Sequence, residues 1–349
     1  MRVAMVMMLM CGAAAQASIS NVSVASPLIG TGVVTVYAAI TESSCTAPCN
    51  RTQTMTVPRG MSSYGIMMSA YDIRFDHVDG AKLSKIKLVL DATGYDPSTG
   101  VLTFNLAANL DGNVPPPSST FKFSVWFVAV LGDDSHVKVA EYDLTGFSGN
   151  GPIGECDTTG ACTAGAILTG AGGAGGLNFA RSMLRGFDLS TVNDAGVSLS
   201  EIEFDVSGFT SNTNPIGSGT CSLISGDPTQ NLNCSLFLTT LARTGGSLYP
   251  IQKVDSISGA SGYVYSSTNI TATGTTTAMS GGVVGLQSVK ATPDNGIKFR
   301  SWQGGCDGWT FTATPTPSVL TPQTNYGLVE PGGGNSYDAD MKCVGVFVP

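Results

Sequence analysis

The chain has 349 residues, a formal net charge of −8, 44 glycines and 12% charged residues. That length exceeds one ordinary domain and implies two or three. The acidic balance and the lack of a basic patch speak against nucleic acid as a partner, and a 42% hydrophobic share is not that of a disordered chain.

In chain order, the first element is "MRVAMVMMLMCGAAAQASIS". One Arg, an apolar stretch and Ala15-Gln16-Ala17 read as a secretory signal over 1–17, cleaved after Ala17. No later stretch approaches the roughly 20 apolar residues that a membrane-spanning helix needs. Removing Cys11 with the signal leaves Cys45, Cys49, Cys156, Cys162, Cys221, Cys234, Cys306 and Cys343. An even count in an exported chain reads as disulfides. The simplest connectivity pairs neighbours: 45–49, 156–162, 221–234 and 306–343.

The first unit is expected over 18–145. Its central strand "KLSKIKLVLDATGY" (82–95) returns as "SLSEIEFDVSGF" (198–209) in a second unit over 177–246. Aligning Leu83 with Leu199 brings Ile86 onto Ile202, Leu88 onto Phe204 and Leu90 onto Val206. At the same offset Tyr71-Asp72-Ile73 falls on Phe187-Asp188-Leu189. Alternate residues of a strand share a face, so the apolar positions point to a core. The intervening positions reverse sign: Lys85 and Lys87 in one copy, Glu201, Glu203 and Asp205 in the other. Such faces could dock head to tail, within one chain or between chains, or could simply be solvated. Long apolar strands close the units, "FKFSVWFVAVLG" (121–132) and "LNCSLFLTTLAR" (232–243), and Trp126 inside the first reads as core.

Between these units, 146–176 is a Gly-rich linker carrying a small Cys156–Cys162 loop. A third unit, 247–349, begins with a Ser/Thr/Gly-rich lead-in and ends on "MKCVGVFVP" (341–349), a further closing strand. Cys234 and Cys343 take similar places ahead of their closing strands, and Cys221 and Cys306 sit on or near a preceding strand. The expected class is all-β: two or three tandem antiparallel β-sandwich domains from internal duplication, stabilised by disulfides.

Two resemblances follow from quoted segments. With "AYDIRFDHVDG" (70–80), "GVLTFNLAANLDG" (100–112) and "FSVWFVAVLG" (123–132), the first unit resembles H-type lectin domains. That resemblance implies a six-stranded antiparallel sandwich that binds sugars at subunit interfaces. With "ATPDNGIKFRSWQGGCDG" (291–308) and "DADMKCVGVF" (338–347), the third unit is similar to Cys-containing β-repeats of bacterial surface and secreted proteins, interrupted by a long insertion over 309–336.

Chemistry-bearing groups are sparse. His77 and His136 are the only histidines, and both lie beside acids. His77, Asp76 and Asp79 form the candidate metal site, with Ca²⁺ the candidate ion, against the alternative of solvated strand-end turns. An aromatic face can stack on a sugar ring. Trp309, with Asp307 and Trp302, is therefore the candidate ligand-binding group, against packing on the 306–343 bridge. No G-x-S-x-G elbow or other catalytic motif occurs, and no enzyme is expected. The leading function is a secreted, lectin-like protein that binds glycans or cell-surface components. The alternatives are a self-associating structural subunit of an extracellular filament or surface layer, and a glycan-active enzyme or accessory module.

Overall fold

The computed structural model describes residues 22–46, 48–76, 81–112, 120–144, 161–167, 177–191, 199–211, 214–225, 232–244, 251–260, 262–267, 270–271, 279–293, 298–313, 318–329 and 336–348. Among these residues the chain is all-β and antiparallel, without a helix. Two short strands, β1 (Val22–Val24) and β2 (Leu28–Gly30), lie against β3 (Val33–Thr46). With β3, a first set comprises β4 (Cys49–Thr56), β5 (Ser63–Phe75), β6 (Leu83–Asp96), β7 (Val101–Gly112) and β8 (Thr120–Gly132). A second set comprises β9 (Val137–Leu144), β10 (Ala161–Ile167), β11 (Leu177–Thr191), β12 (Leu199–Ser211), β13 (Asn214–Ser225) and β14 (Leu232–Thr244). The third comprises β15 (Ile251–Ala260), β16 (Gly262–Ser267), β18 (Gly281–Pro293), β19 (Ser301–Thr312), β20 (Val319–Val329) and β21 (Tyr337–Val348), and a short β17 (Ile270–Thr271) adds to β20.

All three sets pair in the same way. The closing strand lies between the first and third strands, as in β3-β8-β5, β9-β14-β11 and β15-β21-β18. The fifth strand lies between the second and fourth, as in β4-β7-β6, β10-β13-β12 and β16-β20-β19. The third strand of each unit then pairs with the fourth strand of the unit before it: β11 on β6, β18 on β12, and β5 on β19. Each sheet is thus shared by two units, and the chain closes on itself as a ring with three seams. We number the seams in that order. The long segment between Cys306 and Cys343 supplies β20, so it is part of the third unit.

The two halves of a unit are tied together by a disulfide. Cys45–Cys49 joins β3 to β4, Cys221–Cys234 joins β13 to β14, and Cys306–Cys343 joins β19 to β21. The bridges of the second and third units do not occupy the same place, contrary to the expectation from duplication. Cys221 lies on a fifth strand and Cys306 on a fourth. The 156–162 pairing lies outside the described residues. Unit boundaries also shift from the sequence reading. Residues 137–144 form β9, which pairs with β14, and 161–167 form β10, which pairs with β13, so both belong to the second unit. Neither short strand repeats a landmark by which sequence comparison could assign it.

Alternation explains the faces. On β8, Phe121, Phe123, Val125 and Phe127 are buried, whereas Lys122, Ser124 and Trp126 between them are partly exposed. Each third strand carries a β-bulge at the same place: Met68/Ala70, Leu184/Gly186 and Leu286/Ser288. A bulge bends its strand and re-aims side chains. Before it, the strands meet around the ring's axis. A Cβ added to Gly285 would lie 2.8 Å from the Met183 sulfur and 3.1 Å from that of Met67. After it, each strand pairs with the neighbouring unit. There the aromatic residues of the repeated segments meet: Tyr71 with Trp302 at 5.2 Å, Phe187 stacked on Phe204 at 4.3 Å, and Phe204 with Trp302 at 5.7 Å. All four are fully buried and come from three units.

The sign reversal is used within the chain. Lys87 lies 2.9 Å and Lys85 3.7 Å from Asp188 across the first seam. Lys290 lies 3.0 Å from Glu201 and 3.2 Å from Glu203 across the second, where Lys342 also pairs with Asp205. Each charged strand meets its counter-charge on the following unit. At the third seam Asp72 stands opposite the neutral Gln303.

Candidate functional site

The outer face of the sheet at the first seam carries a half-open cleft of about 650 Å³. One row of residues crosses all six strands along it: Asn50, Ala107, Val89, Gly186, Phe237 and Asp143. Five interstrand spacings of about 4.8 Å make this row roughly 24 Å long. Ala107, Val89 and Gly186 are small, so the middle of the row is a floor. Gly186 is required there by close approach. A Cβ would lie 2.6 Å from both the Leu88 carbonyl oxygen and Val89 Cα. Larger polar side chains stand on either side of the floor.

Several of the polar groups are fixed by neighbours. The Thr52 hydroxyl donates to Asn105 Oδ1 at 2.8 Å. Arg185, the residue bulged out of β11, is only 2% exposed. It donates to the Leu90 carbonyl at 2.8 Å, pairs with Asp91 at 3.1 Å and with Asp143, and lies over the Phe237 ring with 5.4 Å to the centroid. Arg185 thereby holds an acid of the first unit and an acid of the second at the same wall. Behind it, Glu141 lies 3.7 Å from the Arg185 Nε and accepts backbone N–H bonds from Ile66 at 2.7 Å and Ala92 at 3.1 Å. Burial, opposed by the Arg185 charge, pushes the Glu141 carboxyl up to about 7. Arg51 also lines the cleft. Its Nη1 donates to the Asn50 carbonyl at 3.0 Å, and its buried Nε has no partner among the described residues.

Of the residues singled out from sequence, the described ones Trp302, Trp309 and Asp76 do not line this cleft. Trp302 is fully buried in the central aromatic cluster, where its Nε1 donates to the Tyr326 hydroxyl at 3.3 Å. It offers no face to a ligand, a correction that follows from its place at the seam. Trp309 packs edge-on against Tyr37 at 4.9 Å and donates to the Gly282 carbonyl at 3.1 Å. The backbone of Asp307 pairs with Gln323 on β20, and its side chain lies outside the described residues. His77 and Asp79 lie outside the described residues as well. Asp76 is engaged by Lys122 at 2.7 Å. His136 is drawn into a turn by Asp133, which accepts its backbone N–H at 2.7 Å. Among the described residues no group of three His, Cys, Asp or Glu could hold a metal, and no helix is long and apolar enough to cross a membrane.

Sequence reasoning missed the cleft, because its walls come from β4, β6, β7, β9, β11 and β14 of two units. It also misread Trp126, which is not core but faces out. The signal was present in "FKFSVWF", where Trp126 falls on the Lys122/Ser124 side of the alternation. Comparison with protein-family models finds no match for the chain, and comparison with curated proteins finds none either.

Proposed function

We propose that this is a secreted, non-enzymatic binding protein that takes carbohydrate in the cleft at the first seam. The observation that carries the reading is a long, shallow, small-floored groove walled by amides, hydroxyls and carboxylates, of which Thr52, Asn105, Asp91 and Asp143 are held by one another or by Arg185 before any ligand arrives. Sugars are recognised by such groups, because each hydroxyl both donates and accepts, and fixed side chains cost little further ordering on binding. Arg185 acts as a positioning residue, since its charge is occupied by Asp91, Asp143 and Glu141. Asn50, Gln53, Asn105 and Arg51 are the groups that face a ligand. Three disulfides suit an oxidising, extracellular compartment, and the resemblance of the first unit to H-type lectins points the same way. Lys85 and Lys87 are occupied inside the chain, so charge docking between chains no longer supports the filament alternative.

The test is a glycan array with the oxidised protein and its Asn105→Ala and Gln53→Ala variants. We expect selective binding, weakened about tenfold by either substitution, as for the loss of one or two hydrogen bonds. A silent array, or binding indifferent to both substitutions, would refute the reading.

A further inference from the structure

We infer that the third seam carries a second carbohydrate subsite, with Trp126 as the platform for a neutral pyranose ring and Asp72 as the acceptor for its hydroxyls. This extends the carbohydrate reading to another seam and rests on it.

The argument begins with equivalent positions. The closing-strand residue opposite the bulged strand at each seam is Phe237, Lys342 and Trp126 in turn. At the first seam the Arg185 guanidinium covers the Phe237 ring. At the second, Lys342 pairs with Asp205 across the seam. At the third, Trp126 is partly exposed, and among the described residues no cation or ring covers it. Its row runs Ala39, Trp126, Ala70, Gly305, so both cross-strand neighbours are alanines and the next residue is glycine. A Cβ on Gly305 would lie 2.0 Å from that of Ala70, so this floor admits nothing larger. Trp302 and Trp309 pack against other rings, but Trp126 makes no ring contact among the described residues.

The adjacent row supplies the polar half. Asp72 lies opposite Ser124 on one side and Gln303 on the other. Residues diagonal across a strand pair stand about 7–8 Å apart, within reach of long side chains, and Asp72 is diagonal to Trp126. One carboxylate oxygen of Asp72 is buried without a hydrogen-bond partner, and the other lies 3.8 Å from Arg74. A buried acceptor left unpaired is costly, which favours a turn of the Asp72 side chain toward the face, where a ligand's donor can reach it. Thr41 and Ser124 add a pair of hydroxyls 3.1 Å apart on the same face. A pyranose presents an apolar C–H face to the indole and hydroxyl donors to the carboxylate. The Asp72 charge disfavours a uronate or sulfated sugar in the same place.

The test uses cellohexaose and chitohexaose with the oxidised full chain, read by calorimetry and by intrinsic tryptophan emission. We expect at least one of them to shift the emission, with Trp126→Ala abolishing the shift and weakening binding at this site at least tenfold. Asn105→Ala, in the first-seam cleft, should leave the shift intact. Asp72→Asn should weaken binding about fivefold while leaving the melting temperature unchanged or higher, because it removes a partly buried carboxylate that has one oxygen without a hydrogen bond and only a long contact to Arg74. A structural role for Asp72 would lower both. Binding that persists in Trp126→Ala and disappears in Asn105→Ala overturns the second subsite and leaves the cleft in place. The absence of heat and of an emission shift with both hexasaccharides, alongside selective binding on the glycan array, overturns the subsite and leaves the cleft in place, whereas a silent array refutes both.

Discussion

Gly186→Ala tests the ring directly. The added Cβ would lie 2.6 Å from the Leu88 carbonyl oxygen, 2.6 Å from Val89 Cα and 3.0 Å from Val89 Cβ. The two nearest atoms are backbone of β6, which is held on its other edge by β7, so no rotamer change relieves the contact. β11 must move away, loosening the pairs from Gly186–Val89 to Ser190–Lys85 and the Phe187–Phe204 stack beside them. Overpacking of this kind costs about 1–3 kcal/mol, and rigid backbone neighbours put Gly186→Ala at the upper end. For a chain of 349 residues a fall in Tm of roughly 3–4 °C follows. Gly94→Ala is the control. Gly94 also adjoins a bulge, on β6, but a Cβ there meets nothing within 4 Å. Neither glycine has a positive φ, so Gly94→Ala should be neutral or stabilising by about 0.4–1 kcal/mol. Urea unfolding followed by tryptophan emission reads the seam, because Trp302 sits 6.1 Å from Phe187. Equal stability of the two variants would mean that β11 does not approach β6 as described, and the ring would lose its first seam.

Other consequences follow from the same interior. Folded Glu141 titrates near 7 against the usual 4.5, so the folded state holds its proton more tightly. Its contribution is fully present below about 4.5 and is lost as pH rises through about 7, by about 3 kcal/mol. Denaturation midpoints from pH 5 to 8 should show that slope, and Glu141→Gln should flatten it; an equally steep slope in the variant would contradict the assignment. Trp302→Ala should cost about 3–5 kcal/mol and Trp302→Phe much less, measured by chemical denaturation, whereas an exposed Trp302 would make both nearly silent. A double-mutant cycle on Lys87 and Asp188, whose side chains are 29% and 20% exposed, should give a coupling of only about 0.2–1 kcal/mol. A coupling above about 2 kcal/mol would indicate a desolvated pair.

Particular residues mark how far the sequence was legible. The alternation of Ile86, Leu88 and Leu90, and of their counterparts Ile202, Phe204 and Val206, placed the buried faces correctly. The offset that aligned them also aligned Tyr71 with Phe187, now central in the structure. The same alternation contained the outward face of Trp126, but its aromatic character suggested core. Arg185 was invisible as a wall residue, because its role depends on a bulge and on acids of β6 and β9 that are 94 and 42 positions away. Trp302 looked available because nothing local says that β19 leaves its own unit to pair with β5. By itself, then, the sequence determined the class, the repeated central and closing strands and the alternation of faces along them, since a period of two is local chain geometry. Which edge meets which was decided only by tertiary structure. Every strand edge offers the same backbone donors and acceptors, so the choice falls to shape and charge across a seam. Gly186 against Val89, Lys87 against Asp188 and Gly305 against Ala70 make that choice here, and each pair is assembled from distant parts of the chain.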